Sequence, residues 1–249
     1  MTQLVLGLDI GGSSVKAGAV DLAGGRLAGD LISAPTPATS DPTHLTDVLK
    51  QLASQLPRAT GAVGVAFPSV VKRGRIRTAA NISSAWIGTD GARLVADALG
   101  RPAAFLNDAD AAGVAEMRWG AGRGVMGPVV MLTLGTGIGT ALFIEGRLFP
   151  NTELGHLELH GGDAEKWTSA HVRTALKLDW PAWSARLSDY LERLNAFLWP
   201  DLIIIGGAVS EHFAEFAPLL RSQAEIRAAR FIGEAGVVGA ALAAAERSG

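Results

Sequence analysis

Asn107 and Asp108 stand where a run of apolar residues, 103–106, ends and an alanine-rich stretch begins. The pattern predicts a strand running into a helix, so the pair is held by rigid elements on both sides. At such a junction an Asn can orient a hydroxyl by hydrogen bonding. An Asp can take the hydroxyl proton while the oxygen attacks phosphorus. Asn and Asp are also favoured helix caps, and the pair taken alone fits that role equally well. Asp110 reads as the solvent-facing acid of the first helical turn, where the helix dipole favours it.

Two glycine clusters bear on the same chemistry. Gly11-Gly12-Ser13-Ser14 and Gly135-Thr136-Gly137 each lie between two apolar runs. Each predicts a β-hairpin with a glycine tip. Such a tip turns backbone N–H groups toward an anion without Cβ obstruction, or it is simply a tight turn. Ser13, Ser14 and Thr136 add hydroxyl donors, and Lys16 adds a charge. Neither cluster is a Walker loop, and residues 135–139 lead into a return strand where a dinucleotide fold needs a helix. Asp9 ends the first strand beside the first tip, where a carboxylate reaches a magnesium ion through water or caps the turn.

Glu153 and His156 form a third cluster, three residues apart, with Gly155 allowing a tight bend. Both can hydrogen-bond hydroxyls in a bidentate fashion. With no cysteine in the chain, and His160 the only other His nearby, the cluster does not read as a zinc site.

Stepping along the chain shows what must hold these groups. Strands are predicted at 4–8, 15–20, 26–32, 61–67, 74–79, 103–106, 129–134, 140–144, 202–205 and 226–232. Residues 33–40 read as a loop. Helices follow Asp41-Pro42, with Pro57 as the stop, and Thr89 or Asp90. Others run from Asp108 to about Trp119, over 163–177, from Pro181, after a Ser210 cap, and over 235–246. Trp86, Trp180 and Trp183 lie near turns or helix starts, as core packing or as cleft lining. The order strand, glycine tip, strand, turn occurs twice, about half a chain apart, which suggests a duplicated α/β lobe.

Composition bounds the partners. The chain has 249 residues, 48% hydrophobic and 18% charged, with a formal net charge of -2. That is a globular protein without the basic balance of a nucleic-acid binder. The absence of cysteine excludes disulfides and thiol chemistry. No basic leader and no run of about 18 apolar residues is visible, so the expectation is a cytoplasmic protein without a membrane partner.

Five stretches in order, LVLGLDIGGSSVK, LNDADAAGVAE, LTLGTGIGTA, PNTELGHLE and IIIGGAVS, resemble the ROK family of sugar kinases. They are most similar to its polyphosphate glucokinase branch. The stretches at 77–89 and 195–207 are similar to that branch too. The resemblance implies an α/β fold of the actin/hexokinase (ribonuclease H-like) type, two duplicated lobes with a cleft between them. It divides the chain into 1–108, with a helix at about 234–249 packing back on it, and 109–233. A glycine-rich loop at 120–128 lies close to this boundary.

By the same resemblance Asp108 is the catalytic base, and Asn107, Glu153, His156 and Glu165 hold glucose. Gly11, Gly12, Ser13, Lys16, Gly135, Thr136 and Gly137 match the phosphate loops, and Gly206 and Gly207 the nucleotide-side turn. Mg2+ as cofactor and a homodimer are implied. Two departures stand out. The cysteine-rich zinc loop of most family kinases is missing, as in the polyphosphate branch. Ser69 follows Pro68 where the family often has a glycine that lets backbone approach the sugar. The expected activity is phosphorylation of the glucose 6-hydroxyl from polyphosphate, with ATP as a further donor. The alternatives are a strictly ATP-dependent hexokinase and a non-catalytic sugar-sensing regulator. Lys16, Lys72, Arg73, Arg75, Arg77, Arg118 and Arg123 are candidates for guiding polyphosphate, or are ordinary solvated charges.

Overall fold

The computed structural model describes residues 4–56, 59 and 61–248. The chain divides into two compact units, Met1–Ala115 with Glu234–Gly249, and Glu116–Gly233.

In the first unit, β1 (Leu4–Ile10) and β2 (Ser14–Asp21) form the predicted hairpin, with Asp9 opposite Lys16. The run predicted as one strand over 26–32 is two, β3 (Arg26–Leu27) and β4 (Ile32–Pro35), both paired with β2. Residues 33–35 are therefore strand rather than loop. Pro35 is tolerated because it closes the strand, at the edge of the sheet. Helix α1 (Pro42–Ser54) starts as its sequence dictates, with Asp41 accepting from the His44 amide at 3.0 Å. Pro57, its predicted stop, lies outside the described residues. Strand β5 (Val63–Phe67) pairs parallel to β1. A small hairpin of β6 (Val71–Lys72) and β7 (Arg75–Ile76) follows. Helix α2 (Gly91–Leu99) is capped by Asp90 and ended by left-handed Gly100. Strand β8 (Ala103–Asn107) then leads directly into α3 (Asp108–Trp119), where Asp110 of the first turn is buried rather than facing solvent.

The second unit repeats the pattern. Strands β9 (Val129–Leu134), β10 (Ile138–Ile144) and β11 (Arg147–Phe149) form the meander. After it come the short pair β12 (Glu158–Leu159) and β13 (Gly162–Asp163), then α4 (Ala164–Thr168) and α5 (Ala170–Ala175). The long helix α6 (Trp180–Leu198) buries Trp183, Leu187, Tyr190, Leu191 and Leu194 with Val130, Leu132, Ile203 and Ile205 of the sheet. Strand β14 (Leu202–Gly206) is fully buried, as an all-apolar central strand must be. No Ser210 cap forms: its hydroxyl instead donates to the Gly207 carbonyl at 2.7 Å, tightening a 3-10 turn over Ala208–His212. Helix α7 (Phe213–Phe216) is one turn, and β15 (Glu225–Ala228) stops four residues before the predicted end. Helix α8 (Ala235–Ser248) returns to the first unit and packs on β1, β5 and β8.

The two sheets share one strand order. The first runs β3-β2-β1-β5-β8 and the second β11-β10-β9-β14-β15. In each, an antiparallel meander is extended by two parallel strands. The duplicated glycine hairpin of the sequence is thus the visible part of a duplicated α/β topology.

Trp86 and Trp183 are fully buried. The Trp86 indole donates to the Ser40 carbonyl, and that of Trp183 to the Thr168 carbonyl. Trp180 stacks under the Arg173 guanidinium, 3.5 Å from the ring centroid. Trp86 and Trp183 are core residues rather than cleft lining; burying each such ring contributes roughly 3 kcal/mol or more.

Candidate functional site

The site residues are described within the unit that holds each. In the first unit, β8 delivers Asn107 and Asp108 to the start of α3. The Asn107 side-chain oxygen accepts from the amides of Ala109 (2.9 Å) and Asp110 (3.0 Å), and its amide nitrogen donates to the Ser69 carbonyl at 3.2 Å. Asn107 is the helix cap. It is buried, and it ties the 68–70 loop to the strand end. Asp108 takes the first helical position, part-buried, with one carboxylate oxygen accepting from the Ala109 amide at 2.8 Å. With Asn107 as the cap, the Asp108 carboxylate is not needed for that role. The Ser69 hydroxyl donates to the Thr78 carbonyl, while its own carbonyl serves Asn107. Ser69 is therefore built into the loop's scaffold.

The first glycine tip closes through Gly11 N–H to the Ser14 carbonyl, 2.9 Å, and Thr36 buttresses it with its hydroxyl on the Gly11 carbonyl, 2.6 Å. Gly12 and Ser13 are left exposed at the tip, with Lys16 part-buried on β2. Asp9 lies at the end of β1 against Gly236 in the first turn of α8. A Cβ at Gly236 would sit 2.6 Å from the Asp9 carboxyl carbon. Only glycine lets that helix start press on the carboxylate. Burial pushes the Asp9 carboxyl up to about 6, opposed by the Lys16 charge.

In the second unit, the tip at Gly135 closes onto the Gly137 carbonyl at 3.0 Å, and the His171 amide ties down the Gly135 carbonyl. Gly135 and Thr136 are exposed. Gly137 has a specific reason to lack a side chain: a Cβ there would sit 2.4 Å from the Glu165 carboxylate. Glu165 also accepts from the Ile138 amide at 3.3 Å. Gly206 ends β14, and Gly207 has φ +85 with its Cα against the Leu134 backbone, just before the tip.

Glu153 precedes a 3-10 turn, Leu154–His156, and His156 ends it. A two-threonine clamp sets this segment. The Thr140 hydroxyl donates to the Thr152 carbonyl (2.8 Å) and accepts from the Leu154 amide (3.1 Å), while the Thr152 hydroxyl donates to the Thr140 carbonyl (2.9 Å). Gly155 is required by contact more than by bend, since a Cβ would lie 2.3 Å from the Ile138 carbonyl oxygen. The His156 ring has Glu153 at 3.7 Å from Nε2, and Asp163 at 3.6 Å and Glu165 at 3.9 Å from Nδ1. Burial raises the Glu153 carboxyl above its ordinary range; His156 opposes this and Glu165 adds to it. The structure thus brings Glu153, His156 and Glu165 together and adds Asp163, which no sequence signal singled out. Thr140, Thr152 and Gly236 carry no local signal either: the threonines work through contacts a dozen or more residues away, and Gly236 through Asp9 at the other end of the chain.

Of the candidate polyphosphate guides, Lys72, Arg73, Arg75 and Arg77 lie on or beside the β6–β7 hairpin, all exposed. Arg75 is engaged by Asp90 at 3.5 Å. Arg118 is in the last turn of α3, and Arg123 in the loop that follows.

The ROK family model matches residues 5–170. The polyphosphate glucokinase of Mycobacterium tuberculosis (strain CDC 1551 / Oshkosh) is 41% identical over 238 residues, covering 95% of this chain and 89% of that protein. The crystal structure of an inorganic polyphosphate/ATP-glucomannokinase from Arthrobacter sp. strain KM superposes with a TM-score of 0.93. It is 41% identical, over 98% of this chain and 99% of that one. A ROK family glucokinase from Streptomyces griseus, solved with glucose and AMPPNP, has a TM-score of 0.82 at 25% identity over 98% and 99% of the two chains.

Proposed function

The chain belongs to the ROK family, and we propose that it transfers a phosphoryl group from inorganic polyphosphate, with ATP as a further donor, to the 6-hydroxyl of glucose. It is a glucokinase-type phosphotransferase. The observation that carries this reading is the Asp108 carboxylate, set at a strand-to-helix junction in a chain 41% identical to a polyphosphate glucokinase over 95% of its length.

Asp108 takes the proton from the glucose hydroxyl as its oxygen attacks phosphorus. Asn107 is already committed through its oxygen to the α3 amides, so its contribution is to hold Asp108 and, through its amide, the 68–70 loop. Glu153, His156 and Glu165 hold sugar hydroxyls. Their mutual proximity in one unit supports that assignment. Ser69 acts through the shape of its loop. The exposed tips at Gly11, Gly12, Ser13 and Ser14 and at Gly135, Thr136 and Gly137 receive phosphate oxygens, with Lys16 adding charge; Gly206 and Gly207 shape the turn beside the second tip.

Asp9 suits a hard divalent cation: it is an oxygen donor at a strand end, beside a phosphate tip, and its ionised form lacks solvation. Asp9 would hold Mg2+ there. When bound, Mg2+ neutralises charge on the transferring phosphoryl group. We assign the active form as a cytoplasmic homodimer on the strength of the family resemblance. Among the described residues no helix is long and apolar enough to cross a membrane.

The test is direct. Purified protein with glucose, Mg2+ and either polyphosphate or ATP should form glucose 6-phosphate, with polyphosphate an effective donor. Product with ATP alone would favour the strictly ATP-dependent reading, and no product with either donor would overturn the proposal.

A further inference from the structure

We infer that Asp163 is a positioning residue for His156: it fixes the proton on His156 Nδ1 and so presents Nε2 as the acceptor toward the substrate. The inference deepens the glucose-binding role proposed for His156 and rests on it.

Asp163 occupies the N-cap position of α4, where an Asp ordinarily accepts a hydrogen bond from the amides of the first turn. It makes no such bond. Its carboxylate faces Lys166, 3.3 Å away, and His156 Nδ1, 3.6 Å away. The cap is forgone, and one carboxylate oxygen lies near both the Lys166 ammonium and the imidazole. Position 163 can reach it because β12 and β13 form a tight pair, with Glu158 opposite Asp163, which folds the chain back beside the 154–156 turn.

The surroundings of the ring decide which nitrogen carries the proton. Nδ1 faces two carboxylates, Asp163 and Glu165, while Nε2 faces one, Glu153. Glu165 is partly committed elsewhere, accepting from the Ile138 amide. Asp163 is held ionised, chiefly by Lys166 and also by His156. Glu153 is pushed the other way by burial. Two carboxylates beside Nδ1 against one beside Nε2 favour the Nδ1–H tautomer. A second group that orients a functional imidazole in this way matters about as much as the imidazole's own contact; its loss typically costs 10- to 100-fold in affinity where the effect has been measured at metal-bound histidines.

The tautomer is read by 15N NMR on the full chain labelled at histidine, with His156→Gln assigning the resonance by its loss. Expected is Nδ1–H in the wild type, a shift toward Nε2–H in Asp163→Asn, and return of Nδ1–H in Asp163→Glu. In parallel, Asp163→Asn should raise KM for glucose about tenfold with kcat changed less than about threefold, because it weakens binding common to ground and transition states. Asp163→Glu should recover most of that loss. Nε2–H in the wild type overturns the inference without any variant. So does an unchanged tautomer in Asp163→Asn, or an Asp163→Glu variant as impaired as Asp163→Asn. The tautomer does not depend on turnover. A chain that shows the expected shift yet fails to phosphorylate glucose would overturn the proposed function and leave the Asp163–His156 relation standing.

Discussion

At the scale of single residues, a desolvated acid lies beside the first tip, whose backbone is proposed to bind phosphate. The Asp9 carboxyl titrates near 6 in the folded protein against 3.8 ordinarily. The folded state thus binds its proton more tightly than the unfolded chain does. Stability associated with Asp9 is full below about pH 4 and is lost as pH rises through about 6. Asp9→Asn should therefore raise Tm at pH 7.5, with a gain that vanishes below about pH 4, while it lowers kcat. A thermal melt series across pH checks the sign, and a Tm gain that persists undiminished at pH 3.5 would contradict it. The same residues show what a sequence can disclose. Asp108, Glu153 and His156 announce themselves because their chemistry is local in type and spacing. The division of labour between Asn107 and Asp108 was not legible, because either residue can cap a helix and only the Ser69 and Ala109 contacts decide.

At the scale of elements, a single buried acid secures the stretch after α3. Glu116 is fully buried, and its two oxygens accept from the amides of Arg230 and Phe231 (2.8 Å each) and Ala121 (2.7 Å). A carboxylate is the right group because all three partners are donors. Glu116→Gln keeps the shape but points an N–H at one donor. It should cost about 2–3 kcal/mol of stability, while Glu116→Asp, too short to span the same amides, should cost at least as much. Denaturant unfolding of both variants measures this, and a loss under about 0.5 kcal/mol in Glu116→Gln would show that the three bonds matter little. Nothing around Glu116 in the sequence marks it, since two of its three partners, Arg230 and Phe231, lie more than a hundred residues away. By contrast the starts of α1 and α2 were legible, because Asp41 and Asp90 cap from adjacent positions; α6 was read from Pro181, one residue late, and its Asp179 cap was not singled out. Strand ends were less so. The split between β3 and β4 depends on which residues β2 can pair with, and that is a tertiary fact.

At the scale of the whole molecule, one α/β plan is used twice, and each copy carries a glycine tip. The duplication could be read from the recurring hairpins because glycine tips punctuate the chain at equivalent places. The return of α8 to the first sheet gives that unit a helix whose start abuts Asp9, something no hairpin pattern discloses. On this plan the chemistry is concentrated in one group. On the proposed reading Asp108 alone moves the proton, while the tips and the Glu153, His156 and Glu165 cluster bind and orient. The most direct test compares wild type with Asp108→Asn at saturating glucose, polyphosphate and Mg2+. The variant keeps the shape and the cap interaction with Ala109 but cannot accept the proton. We expect kcat to fall by about 100-fold or more with KM for glucose changed only a few-fold. An Asp108→Asn enzyme with wild-type kcat would contradict the assignment of Asp108 as the base.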